Sequence, residues 1–190
     1  MRPHQADLPS FKNTGFAEVT VIVILAHFSD KDFGNTFNSV KRNLLHEDGK
    51  LGFSSRYFTN ASEGGFQLKF KVVEKFVDVG KDLVHFTSQT RDHFYKTKIE
   101  FANMAAEEAK ADIENIAQQY PLGQNSQPYS LLIIHPAEDN QGEDGLNSLM
   151  HETSFNSTVY PWALCSIKSL QGTFCHELGH SLFNLSLIHI

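Results

Sequence analysis

The sequence predicts an α/β (α+β) domain built on a mixed, twisted sheet, and three stretches carry that expectation. Glu18 to His27 contains Val19-Thr-Val-Ile-Val-Ile-Leu-Ala26, apolar on both faces and β-branched, as a strand covered on both sides requires. Phe66 to Val73 alternates, with Phe66, Leu68, Phe70 and Val72 on one side and Gln67, Lys69 and Lys71 on the other. Lys98 to Tyr120 carries a single apolar stripe at helical spacing. Strands and helices thus interleave along one chain.

Each element has its own signal. Met1 to Phe16 has two prolines, a glycine and no periodicity, and reads as a linker or the end of a preceding segment. Glu18 to His27 is expected to be central in the sheet. After a turn at Ser29 to Asp32, Phe37, Val40, Leu44 and Leu45 have helical spacing, and Gly49 and Gly52 close that helix. Ser54 to Glu63 reads as a short helix stopped by Gly64-Gly65. The alternation of Phe66 to Val73 predicts a half-buried, antiparallel strand, which Phe76 to Val79 continues after a bend.

Leu83 to Thr97 mixes polar and aromatic residues and reads as loop, with His85 and His93 as surface residues rather than ligands. Lys98 to Tyr120 is the clearest helix: Ala102, Ala106, Ala109, Ile113, Ile116 and Tyr120 form its stripe, with Glu107, Glu108, Lys110 and Glu114 facing water. Tyr129 to His135 is a buried strand. Ala137 to Gly145 is an acidic loop. Clustered oxygens can hold Ca²⁺, but the spacing fits no calcium motif, and a mobile surface loop is the simpler reading. His151-Glu152 lacks a second histidine at helical spacing. In Thr158 to Cys165, Pro161 predicts an edge strand, placed to pair with an extended peptide.

Sixteen Phe against five Tyr and one Trp predict an aromatic core. Net charge −6 and a pI near 5.9 leave no basic footprint for nucleic acid. The apolar run at Val19 is too short to span a membrane and has no small-residue cleavage site after it. Cys165 and Cys175 form no CxxC pair; buried free thiols are the simple expectation, with one disulfide as the alternative.

The chemistry concentrates in Gly172-Thr-Phe-Cys-His-Glu-Leu-Gly-His180. On a helix, residues four apart share a face, so His176 and His180 aim two imidazoles at one point, as a tetrahedral Zn²⁺ site needs. Glu177, turned by about a hundred degrees, reaches a water at the metal and can act as general base in peptide hydrolysis. The bland alternative is a helix with two incidental histidines. Phe174, Leu178 and Leu182 give the helix a separate buried face. Gly179, costly in a helix by about 1 kcal/mol, points to close approach of another element. Ser169 is a candidate cap.

The final Leu185-Ser-Leu-Ile-His-Ile190 also reads as the translation of a transposase end sequence used to prepare sequencing libraries. Natural sequence is therefore expected to stop near Asn184, which removes His189 as a ligand and leaves the domain incomplete at its C-terminus.

In their order, these pieces resemble the immune inhibitor A family of secreted zinc metallopeptidases. The resemblance runs over residues 17–184: the strand ending at Phe28-Ser-Asp30, Arg56-Tyr-Phe58 before Gly64-Gly65, Leu131 to His135, Tyr160-Pro-Trp162, and Gly172 to His180. It implies a zincin-like fold, one catalytic Zn²⁺ on His176 and His180, Glu177 as catalytic base, protein or peptide substrates and secretion from a precursor. Met1 to Phe16 would then end a propeptide. The family pattern continues with a Gly where Phe183 stands and a third-ligand Asp where Ser186 stands. A fragment without that ligand is expected to be inactive. Two alternatives remain: a gametolysin-like peptidase with a third His ligand, and a zinc- or protein-binding module without catalysis.

Overall fold

The computed structural model describes residues 17–87, 91–120, 130–139, 149–155 and 158–183. In chain order the elements are β1 (Ala17–His27), α1 (Phe37–Leu45), α2 (Lys50–Ala61), β2 (Phe66–Asp78), α3 (Leu83–Phe86), α4 (Arg91–Glu108), α5 (Lys110–Gln119), β3 (Ser130–His135), β4 (Leu149–Phe155), β5 (Thr158–Ser166) and α6 (Gln171–Phe183). The strands form one five-stranded mixed sheet in the order β2-β1-β3-β5-β4.

β1 is central, as expected, and Val21 to Ala26 are fully buried. Two cores follow from its two faces. Ile22, Ile24 and Phe28 pack with α3, α4 and α5 through Phe86, Phe101, Ala105 and Ile113. Val21, Val23 and Leu25 pack with α1, α2 and α6 through Val40, Phe58, Phe174 and Leu178. The phenylalanine-rich composition is spent here: Phe28, Phe86 and Phe101 lie 4.8–5.8 Å apart, centroid to centroid.

Four expectations are corrected. β2 pairs with β1 in parallel, from Ala17 opposite Phe66 to His27 opposite Asp78, not antiparallel. Its alternation arises because β2 is an edge strand that is covered unevenly, not because it turns back in a hairpin. The register slips between Val23 and Leu25, and Phe76 onward continues the strand beyond that irregularity, the bend the sequence indicated.

Of the stretch read as loop, Leu83–Phe86 is α3 and residues 91–97 are the first turns of α4, and the single helix expected over 98–120 is two, parted at Ala109 (φ −89°, ψ 0°). The stripe survives the break because Ala109 N and Ile113 N still bond the carbonyls of Ala105 and Ala109. Ala102, Ala106, Ala109 and Ile113 are buried, whereas Tyr120 is exposed, with the Lys71 ammonium 3.8 Å over its ring. β5 is interior, between β3 and β4, and β4 is the edge. Pro161 is tolerated because the parallel ladder to β3 begins one residue later, at Trp162 opposite Leu131.

The glycine signals mark a helix corner. α2 begins at Lys50, earlier than expected, with Gly49 as its N-cap. A Cβ on Gly49 would lie 2.1 Å from Asn43 O, and one on Gly52 2.1 Å from His46 O. Only glycine lets α2 turn this tightly against α1. At the other end, Glu63 and Gly64 take positive φ (52° and 83°), and Gly64 N bonds Thr59 O, the expected stop.

Candidate metal centre

Helix α6 carries the motif and is pinned at several points. Gln171 Nε2 donates to Asp48 O at 2.8 Å, and Lys50 Nζ donates to Ser169 O, so the α1–α2 corner holds its start. Lys50 also lies 5.3 Å over the Phe174 ring, and burial lowers its pKa. Phe174 and Leu178 are fully buried, and Leu182 packs in part against the same core. Ser181 Oγ lies 3.1 Å from Ser130 Oγ at the start of β3. Gly179 is buried, in line with its cost in a helix. Ser169 does not cap α6: its hydroxyl donates to Asp139 Oδ2 at 2.5 Å, and the helix starts two residues later.

On this helix His176 and His180 converge. Their Nε2 atoms are 3.0 Å apart, with ring centroids at 4.5 Å and planes at 83°. Two nitrogens on one tetrahedral zinc, each at 2.0–2.1 Å, stand about 3.3 Å apart. A shift of a few tenths of an ångström would open the pair to that distance, so these two nitrogens fit two positions of a tetrahedral zinc. His176 is half-buried and His180 only 1% exposed, so the histidine face is more covered than its separation from the Phe174 face implied. Burial, then the neighbouring His180, lowers the His176 pKa and favours the neutral imidazole that binds metal. Among the described residues no group of three or more His, Cys, Asp or Glu could hold a metal; Ser186 and His189 lie outside them.

Glu177 is half-buried beside the pair. Burial raises its pKa most; Asp139 adds to the rise, while His180 and Lys98 oppose it.

The other candidates are dispersed. His85 is exposed and paired with Glu100 at 3.0 Å. His93 falls on α4, with its side chain outside those described. His151 and Glu152 lie on β4, opposite Trp162 and Pro161. Of the acidic loop proposed for calcium, Glu138 pairs with Lys168 and Asp139 with Ser169, while Glu143 and Asp144 lie outside the described residues. Cys165 and Cys175 are buried free thiols. Cys175 Sγ donates to Ser54 Oγ at 3.5 Å, and burial pushes its thiol pKa up, which makes it a poor nucleophile.

Two residues whose charges act on Glu177 were missed by sequence reasoning: Lys98, read only as a helix start, and Asp139, read as part of a surface loop. The available signal was Lys98 standing in phase with the stripe Ala102, Ala106 and Ala109. No helix is long and apolar enough to cross a membrane among the described residues. No protein-family model matches the chain, and no curated protein matches it in sequence.

Proposed function

We propose that the protein is a zinc-dependent endopeptidase of the immune inhibitor A type, with a zincin-like fold. The observation that carries this reading is the convergence of His176 Nε2 and His180 Nε2 at 3.0 Å, with Glu177 beside them on α6. His176 and His180 would hold the zinc. The family resemblance implies a third ligand past α6. Bound zinc supplies a Lewis acid for the scissile carbonyl and its water. Glu177 takes the proton from the attacking water and returns it to the leaving amine. β4, the antiparallel outermost strand among the described residues, takes over the peptide-pairing role first assigned to β5. Substrates are proteins or peptides, and the site of action is extracellular.

The test is Glu177→Gln in the full-length protein, with bound zinc and cleavage of an unfolded protein substrate both measured. Retained zinc with cleavage lost is the expected result; retained turnover overturns the assignment. A zinc-binding module without catalysis is the second reading, favoured by the two-histidine donor set. It predicts bound zinc and no cleavage by the unsubstituted protein.

A further inference from the structure

α6 is held at its start by the α1–α2 corner and along its middle by the apolar packing of Phe174 and Leu178. His180 stands further on, in the last described turn of the helix. Carbonyls of a helix's last turn have no partner within the helix, and apolar packing is non-directional. A metal ligand in that turn therefore gains from a directional tie, and the next residue supplies one.

Ser181, beside His180, is buried, and its Oγ lies 3.1 Å from Oγ of Ser130, the first residue of β3. Ser130 is fully buried and stands in the ladder opposite Val21 of β1, so its hydroxyl is carried by the centre of the sheet. The same two hydroxyls reach two carbonyls. Ser130 Oγ lies 3.2 Å from Pro161 O on β5, and Ser181 Oγ lies 3.2 Å from Leu178 O within α6. Two protons thus serve three contacts. If both went to the carbonyls, two oxygen lone pairs would face each other away from water, which is costly. The remaining arrangements both place a proton between the serines. In one, Ser130 donates to Ser181 and Ser181 to Leu178 O; in the other, Ser181 donates to Ser130 and Ser130 to Pro161 O. Either way, α6 is bonded to β3 one residue past His180.

We propose that Ser130 is a positioning residue for His180: its hydroxyl, bonded to that of Ser181, fixes the last described turn of α6 to the sheet and keeps His180 Nε2 turned toward His176 Nε2. The proposal rests on the peptidase reading for the zinc that the two histidines would hold. The bond between the serines needs no metal.

The experiment measures the zinc affinity of the full-length protein, by competition with a chromophoric chelator, in Ser130→Ala, Ser181→Ala and the double variant. Each single substitution should weaken zinc by about tenfold, the lower end for groups that orient a metal ligand. The double variant should be no weaker than either single one. Ile113→Val, which removes buried volume on the other face of the sheet, should lower stability and leave zinc affinity unchanged. Unchanged affinity in Ser130→Ala, or additive losses, overturns the proposal. So does an equal loss in Ile113→Val, which would mark a general effect of weakened packing.

A second readout is metal-free: the NMR resonance of the His180 ring, assigned by its loss in His180→Gln and followed at one pH. It should move in Ser130→Ala and stay in Ile113→Val; an unmoved resonance in Ser130→Ala overturns the proposal. A Ser130 effect without any cleavage by the unsubstituted full-length protein would sink the peptidase reading alone. Additive zinc losses with cleavage intact would sink this proposal alone.

Discussion

Lys98 shows how one side chain can carry a pH dependence for the whole fold. Burial lowers its pKa from 10.5 to about 8, with Asp139 and Glu177 resisting the fall. The fold therefore favours the neutral amine. That contribution is fully present above pH about 10.5 and lost as pH falls through about 8, a span worth roughly 3 kcal/mol. The metal-free chain should gain stability over Lys98→Met as pH rises across this window, read as the difference between their unfolding midpoints. A constant difference would show that the amine is solvated in the folded chain. Glu177 runs the other way. Its raised pKa adds stability below the ordinary carboxylate range, lost as pH rises through the folded value. Glu177→Gln should therefore stabilise the metal-free chain at pH 7 and lose that advantage near pH 4.

At the scale of elements, the α1–α2 corner decides where α6 starts, because Lys50 and Asp48 both hold the chain around Ser169 and Gln171. Gly52 makes the corner possible. In an isolated helix Gly→Ala stabilises by about 1 kcal/mol. Here the added Cβ would sit 2.1 Å from His46 O, and backbone cannot yield as a flexible side chain does. Gly52→Ala should destabilise by about 1–3 kcal/mol, measured by denaturant unfolding, and should loosen the start of α6. A neutral or stabilising result would mean that α1 and α2 are further apart. The free edges differ in kind. β2 carries Lys69 and Lys75 paired with Glu18 and Asp112 at 2.6 and 2.9 Å, charges that discourage strand addition. Among the described residues β4 pairs only with β5, as the antiparallel outermost strand.

For the whole molecule, one sheet separates two cores, and β1 and β3 contribute alternate residues to both. Neither core can open without the sheet, so unfolding should be a single cooperative step. Trp162, the one tryptophan and fully buried, reports on it. Its fluorescence transition should coincide with loss of helical circular dichroism; separated midpoints would show that the α6 side melts independently.

Much of this was legible in the sequence, for identifiable reasons. The central place of β1, the burial of Leu131 to His135, the Ala102–Ile113 stripe, the glycine stop after α2 and the convergence of His176 and His180 all follow from local periodicity, which the backbone geometry of a strand or helix fixes over a few residues. Strand direction and order did not. An uneven edge and a hairpin give the same alternation, so β2 was misread. The proline in β5 was compatible with an interior position once its ladder began at Trp162. β4 carries no pattern that marks a strand until β5 lies beside it. The histidine pair and Glu177 beside it were determined by spacing along one helix. The burial of Lys98 and the seat of α6 against the α1–α2 corner were decided only by tertiary structure, because they bring together segments far apart in the chain that meet through packing, and no local pattern records such a meeting.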